Sequence, residues 1–435
     1  MTTASIATIE SLEHEGRGVA RVDGKAIFIE GALPRETVEY SSYRKRERFE
    51  QAGTVRVIRA SAQRAVPGCK YYGVCGGCSM QHAELGLQVA TKQRVLEDAL
   101  RHIARVQADC IYPAIYGPAW GYRYRARIGV RVVPNKGGVL IGFHEKKSSY
   151  IADIDSCAVL PRHVSDLLPY LHELIAGMSV PDRIPQIELA VGDDRTVIVL
   201  RNLTPLTSAD IHLLQVFGAQ HRVSMWQQPG NPETARPVRS DEPAFLEYSL
   251  PEFDIRLKFR PTDFTQVNVH TNRLLIRRAM QLLDPQPGER IADLFCGLGN
   301  FTLPIARCGA KVVGVEGSAE LVQRARDNAA DNGLAKLCEF KVANLFEAST
   351  ASLNKLGRLD KMLVDPPRDG AMAVIRALDE HAPKRIVYVS CNPATLARDA
   401  AILFHEKGYI MKGAGVANMF PQTSHVESIA LFERA

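Results

Sequence analysis

The stretch Arg290-Ile-Ala-Asp-Leu-Phe-Cys-Gly-Leu-Gly-Asn-Phe-Thr302 constrains this chain more than any other. Residues 290–295 read as a short buried strand, Gly297 and Gly299 as a tight turn, and Phe301 onward as a helix. A glycine-lined turn between strand and helix lets backbone N–H groups and a helix N-terminus come close to a ligand. The dinucleotide fingerprint G-x-G-x-x-G needs a third glycine, and the chain has Thr302 there. A second strand, Lys311-Val-Val-Gly-Val-Glu316, sets a carboxylate at a strand end, where it can hold ribose hydroxyls. The context therefore points to a nucleotide-type cofactor on a parallel sheet.

D-x-F-x-G-x-G is the pattern of S-adenosylmethionine (SAM) methyltransferases. From about residue 262 strand and helix patterns alternate. Strands are expected at 291–295, 312–316, 338–342, 361–365 and 386–390, with a helix over 320–332 closed by Gly333. Residues 409–416 and 428–433 read as a closing pair of strands. This is a doubly wound α/β fold, with ligands expected at the carboxyl ends of its strands.

Upstream, residues 1–60 read as short strands punctuated by Gly16, Gly24, Gly31 and Pro34. The run Arg44-Lys-Arg-Glu-Arg48 is either a solvated hairpin or the cationic face of an OB-like barrel meeting RNA phosphates. Cys69, Cys75 and Cys78 then crowd a glycine-rich loop, and Cys157 is the best fourth ligand. Clustered thiolates plus a distant one suit a [4Fe–4S] cluster. Zinc and free thiols are the alternatives, although the paired C-x₂-C of structural zinc is absent. Cys110, Cys296, Cys308 and Cys338 are expected to be buried packing groups.

A helix is expected over 85–102. Residues 120–131 alternate, putting Arg123, Arg125 and Arg127 on one face, either solvated or facing RNA, with His144, Lys146 and Lys147 on the next strand. Strands at 186–191 and 196–200 follow, then a proline-rich loop over 227–243. The expected domains are 1–60, a β-rich iron–sulfur and RNA-binding domain over 61–262, and a catalytic domain over 263–435.

The 435 residues contain no apolar run of membrane length and no signal-peptide pattern, so a cytoplasmic chain is expected. A net charge of +6 permits a polyanionic partner without demanding one.

Three further motifs fall at strand ends: Asp365-Pro-Pro-Arg368, Ser390-Cys-Asn-Pro393 and His425-Val-Glu427. With a SAM site they suggest one reaction. C5 of a pyrimidine is a poor nucleophile, and a thiolate adding at C6 makes it enolate-like. The C5 proton must then leave to a base before the thiolate is eliminated. Cys391 fits the nucleophile and Glu427 the base.

On these motifs the chain resembles the bacterial RNA (uracil-5-)-methyltransferases, in particular the group acting on uracil 1939 of 23S ribosomal RNA. The resemblance covers essentially the whole chain, including an N-terminal TRAM-type barrel. It implies nucleophile Cys391 and base Glu427, with SAM contacts at Gln266, Phe295, Asn300, Glu316, Asn344 and Asp365. It implies a [4Fe–4S] cluster on Cys69, Cys75, Cys78 and Cys157. It also implies 23S ribosomal RNA as partner, a monomer, and no membrane or obligate protein partner. By the same resemblance, part of 90–120 is expected to pack with the catalytic domain. Cytosine-5 enzymes typically carry a second Cys where this chain has Asp365-Pro-Pro-Arg368. Radical-SAM methylthiotransferases use C-x₃-C-x₂-C, against C-x₅-C-x₂-C here. Transfer-RNA relatives usually lack both the barrel and the cysteines. A non-catalytic RNA-binding factor would not need Cys391 and Glu427.

Overall fold

The computed structural model describes residues 5–136 and 138–434. Short strands between tight turns build the first sheet: β1 (Ser5–Thr8), β2 (Ser11–Leu12), β3 (Gly18–Val22), β4 (Lys25–Glu30), β5 (Thr37–Lys45) and β6 (Phe49–Arg59). Their order is β1-β5-β6-β4-β3-β2, antiparallel except for β4 with β6. Alternate residues turn inward, so Ile27, Ile29, Val38 and Tyr40 close a small core with Ile9. Fully buried Glu36 accepts from the amides of Leu33 and Ser61 and from both forks of Arg64, tying the chain after β6 to this sheet.

Helix α1 (Leu85–Ala99) runs into a π-helical turn at Leu100–Ala104, ended by Arg105 at φ +54°. The second sheet follows, from β7 (Arg125–Val133), β8 (Gly138–Gly142), β9 (Gln186–Val191), β10 (Thr196–Arg201), β11 (Ser224–Gln228) and β12 (Arg236–Pro237). Its order is β12-β11-β10-β9-β7-β8. Helices α2 (Arg162–Ser165), α3 (Leu168–Ala176) and α4 (Ser208–His221) accompany it, and Leu171, Ile175, Leu214 and Phe217 pack on Ile128, Ile187 and Ile198.

Three expectations fail in this region. The strand begins at Arg125, not residue 120, and Arg127 on its polar face stays exposed. Arg127 pairs with Glu188 of β9 at 2.9 Å, and Arg125 donates to the carbonyl of Asp263. The stretch 227–243 is not all loop, because β11 ends and β12 forms within it. Cys110 is exposed, its thiol donating to the carbonyl of Lys412.

The hairpin β13 (Leu246–Leu250) and β14 (Ile255–Phe259) leads into α5 (Val269–Leu283). Then come β15 (Arg290–Leu294), α6 (Thr302–Arg307), β16 (Lys311–Glu316), α7 (Ala319–Asp331), β17 (Cys338–Val342), α8 (Thr350–Asn354) and β18 (Lys361–Val364). The chain closes with α9 (Met372–Ala377), β19 (Arg385–Ser390), α10 (Pro393–His405), β20 (Ile410–Ala417) and β21 (Glu427–Glu433). The sheet order is β17-β16-β15-β18-β19-β21-β20, parallel except for β21, which is antiparallel to both neighbours.

Strands buried on both faces need helices on both sides. The hairpin, α5, α6 and α7 cover one face, while α8, α9 and α10 cover the other together with α1 from far upstream. No helix among the described residues is long and apolar enough to cross a membrane.

Candidate active site

Eight of the predicted site residues line one cavity of about 530 Å³ at the carboxyl edge of this sheet: Gln266, Phe295, Asn300, Glu316, Asn344, Asp365, Cys391 and Glu427. The glycine turn explains how the chain reaches it. Phe295 sits at φ +65°, Gly297 at +55° and Gly299 at +101°. A side chain at Gly299 would also collide with Leu303, so glycine is required there for two reasons.

Glu316 accepts from the amides of Gly297 (3.2 Å), Gly317 (2.7 Å) and Ser318 (3.1 Å), fixing the carboxylate beneath the turn. Asn300 exchanges amide hydrogen bonds with Asn272 of α5 at 3.0 and 3.1 Å and accepts from the Tyr248 hydroxyl at 2.9 Å. Asn344 accepts from the Phe346 amide at 3.1 Å, and the Phe346 ring stands 5.7 Å from that of Phe295. Gln266 lies on a loop pinned by Asp263, which accepts from Arg324 (2.9 Å) and the Arg260 amide (2.7 Å). Phe264, 70% exposed, stands at the mouth.

Part of the cavity wall lies where β18, β19 and β21 meet. Asp365 follows β18, its amide donating to the Leu294 carbonyl at 3.2 Å. Cys391 follows β19 and precedes Asn392, whose side chain caps α10. Asn392 and Thr395 both donate to the Arg368 carbonyl, binding the two loops together. Glu427 opens β21, and its neighbour Ser428 pairs with Ser390 and donates to that residue's carbonyl.

Charge is crowded here. Asp365 opens on the cavity yet is enclosed by protein, and that enclosure pushes its carboxyl up to about 7. Asp293, fully buried and accepting from Thr302 Oγ1 at 2.5 Å, is likewise raised to about 7 by burial. Glu427, only 3% exposed, is pushed well above the ordinary carboxyl range by burial and then by Asp365. Burial first, then Glu427 and Asp365, push the Cys391 thiol up to about 11, while Arg368 opposes them. At rest the site therefore holds a thiol rather than a thiolate.

A second cavity, of about 300 Å³, is lined by Cys69, Cys75, Cys78 and Cys157, all free thiols. Burial and then neighbouring groups raise Cys78 to about 11 and Cys157 to about 12. Among the described residues no three His, Cys, Asp or Glu side chains are arranged to hold a metal ion. Arg123 and Arg368 also line the cavity, and among the described residues the buried Nε of Arg123 has no hydrogen-bond partner. Arg368, Phe420 and His425 face both cavities. Tyr248 and Asn272 have no signature in the sequence that points to the cofactor turn. Arg368 could have been found as the last residue of Asp365-Pro-Pro-Arg368, and His425 as the first of His425-Val-Glu427.

A family model described as tRNA (Uracil-5-)-methyltransferase matches residues 245–435, and a TRAM domain model matches 7–39. The 23S rRNA (uracil(1939)-C(5))-methyltransferase RlmD of Aromatoleum aromaticum is 66% identical over 430 residues, covering 99% of both chains. The chain belongs to the RlmD family. The Nitrosospira multiformis RlmD is 57% identical, covering 98% of each chain. A Pyrococcus abyssi tRNA (uracil-54, C5)-methyltransferase, solved with S-adenosyl-L-homocysteine, has the same fold (TM-score 0.74, 23% identity, 98% of this chain and 99% of that one). In this RlmD-family chain the uracil-5 match takes in the hairpin β13–β14 and the whole seven-stranded sheet, while the TRAM match lies in the first sheet.

Proposed function

We infer that this chain is an RNA methyltransferase that transfers the SAM methyl group to C5 of uracil 1939 in 23S ribosomal RNA, the substrate named for its relatives. The observation that carries the reading is the meeting of Cys391 and Glu427 in one cavity with the six residues suited to SAM. Bound SAM supplies an electrophilic methyl on a sulfonium, whose positive charge would lower the raised values of Asp365, Glu427 and Cys391.

Cys391 Sγ, as thiolate, adds to uracil C6, and the electron pair of the C5–C6 bond moves toward C4 and its oxygen. C5 takes the methyl as the S–CH3 bond of the sulfonium breaks and its electron pair stays on sulfur, so that S-adenosylhomocysteine leaves. Glu427 then removes the C5 proton, the double bond re-forms, and the C6–S bond breaks to return the thiolate. Glu316, held by three amides, would accept from the ribose hydroxyls. Asn300 and Asn344 present amide groups, and Phe295 and Phe346 an apolar slot for an adenine. Reaching the base requires extruding it from its stack, a task for the barrel and the second sheet.

We assign the four cysteines to a [4Fe–4S] cluster. Four thiols line one cavity, and the paired C-x₂-C of structural zinc is absent from the sequence, which supports a cluster over a single zinc ion. The unpartnered Arg123 Nε suits an anionic occupant. Cys69, Cys75, Cys78 and Cys157 would hold it, and no step of the reaction runs through it. We further propose domains at 1–60, 61–262 and 263–435, a monomer, and a cytoplasmic location alongside the ribosomal RNA.

The test is tritium release from 23S ribosomal RNA labelled at uridine C5, with SAM, for the wild type and Cys391→Ala. Release that depends on SAM and is lost in the variant is expected. Release from transfer RNA alone would change the substrate, and release by the variant would remove Cys391 as nucleophile.

A further inference from the structure

Helix α1 carries two polar side chains where its buried face should be apolar. Gln88 and Lys92, four residues apart and so on one face, are each 1% exposed. Lys92 Nζ donates to Asn418 Oδ1 at 2.6 Å and to the Phe420 carbonyl at 2.8 Å, and both partners are neutral. A buried amine without a counter-charge is expensive to keep. Burial alone drives it down to about 7. Gln88 makes a reciprocal pair with Gln422, accepting from its amide at 2.8 Å and donating to its side chain at 3.0 Å.

Both residues grip the same segment, the strap of residues 418–426 between β20 and β21. It has little regular structure of its own, and its backbone is held from outside. Asn268 donates to the Met419 carbonyl at 3.2 Å, and Tyr122 to that of Pro421 at 2.8 Å. Gln422 itself sits at φ +67°, a conformation that needs such support. The strap brings Phe420 and His425 to the reaction cavity and ends on Glu427.

We propose that Lys92 and Gln88 are positioning residues for the reaction: α1 clamps the strap so that Glu427 stands at the right place opposite Cys391. The inference rests on the reading of Glu427 as the base. It places part of the catalytic apparatus on a helix more than 300 residues upstream.

Lys92→Met tests it, with SAM affinity by calorimetry, kcat and KM for ribosomal RNA, and the fraction of enzyme trapped as covalent RNA adduct. A displaced base should lower kcat by about tenfold or more, with SAM affinity and KM within about threefold. Adduct should build up, because elimination rather than addition is slowed. Unchanged kcat, or a parallel loss of SAM affinity, RNA affinity and kcat, would overturn the clamp.

Gln88→Leu, which cuts the other grip and introduces no charge, should give the same pattern, and it decides the matter if Lys92→Met does not fold. Glu427→Gln run alongside separates the two levels. If Glu427→Gln traps adduct while both α1 variants turn over normally, the clamp fails and the base stands. If Glu427→Gln itself turns over normally, the reading beneath the clamp has failed.

Discussion

Glu427→Gln should convert the enzyme into one that methylates its RNA once and stays bound to it. Glutamine keeps the shape of a side chain that is 3% exposed, and it introduces no buried charge. The fold should therefore lose no more than about 1 kcal/mol. The chemistry divides in two. Glu427 is, after burial, the foremost influence raising the Cys391 thiol, so a neutral amide there leaves the thiol easier to ionise. Addition to C6 and methyl transfer should then proceed at least as fast as in the wild type. Removal of the C5 proton loses its acceptor, and a positioned general base is worth about 10² to 10⁴ in rate. At 1.36 kcal/mol per factor of ten, that is about 3 to 5 kcal/mol on elimination alone.

The assay is a single turnover with a 23S ribosomal RNA fragment and SAM, followed by intact mass of the denatured complex. The expected species is protein plus RNA plus one methyl group, with one S-adenosylhomocysteine released per chain. Free 5-methyluridine at the wild-type rate would refute the reasoning. A trapped adduct lacking the methyl group would also refute it, since the block would then precede methyl transfer.

Iodoacetamide alkylation of Cys391, read by peptide mass, should rise about tenfold per pH unit between pH 8 and 10, because only the thiolate reacts and burial holds the thiol near 11. Arg368→Gln, removing the cation that opposes that rise, should slow alkylation throughout, and a plateau below pH 9 would contradict both. Protein purified without oxygen should be brown with about four irons per chain and Cys157→Ala should lose them; colourless protein with stoichiometric zinc would overturn the cluster. Arg64→Met should cost about 2–4 kcal/mol by stranding buried Glu36, less than for a fully buried pair because Arg64 is partly exposed. The folded-state carboxyl of Glu36 is held low, so its contribution is present at neutral pH and fades as acid protonates it. The loss in urea melts should therefore shrink below about pH 4, and a pH-independent loss would point elsewhere.

The catalytic half was legible because each functional group sits within a few residues of a strand end. The parallel sheet then gathers all strand ends at one edge, so local motifs suffice to place Phe295, Glu316, Asp365 and Cys391 together. Groups whose role depends on distant pairing left no such trace. Lys92 meets Asn418 across 326 residues and reads as an ordinary solvated helix position. Asn272 lies inside a good amphipathic helix, with nothing local to tie it to Asn300. Alternation around Arg125 and Arg127 did identify one face, but Glu188, the partner of Arg127, arrives from another strand. Period-two patterning reports which residues share a side, not what covers that side.

The reversal of β21 is what allows one cavity to hold both Cys391 and Glu427, the proposed nucleophile and base. Asp365 and Cys391 follow the last residues of β18 and β19, at the carboxyl edge of the sheet. Glu427 is the first residue of its strand, and a first residue reaches that edge only if the strand runs the other way. Pairing of Ser428 with Ser390 fixes the register, placing Glu427 one step past the strand end that bears Cys391. Were β21 parallel, its seven residues, at about 3.3 Å each, would carry Glu427 roughly 20 Å away to the opposite edge. The antiparallel turn demands a connection that stays at the carboxyl edge from the end of β20 to the start of β21. That connection is the strap, and its lack of regular structure explains why its carbonyls and amides are taken up by side chains and amides from outside it.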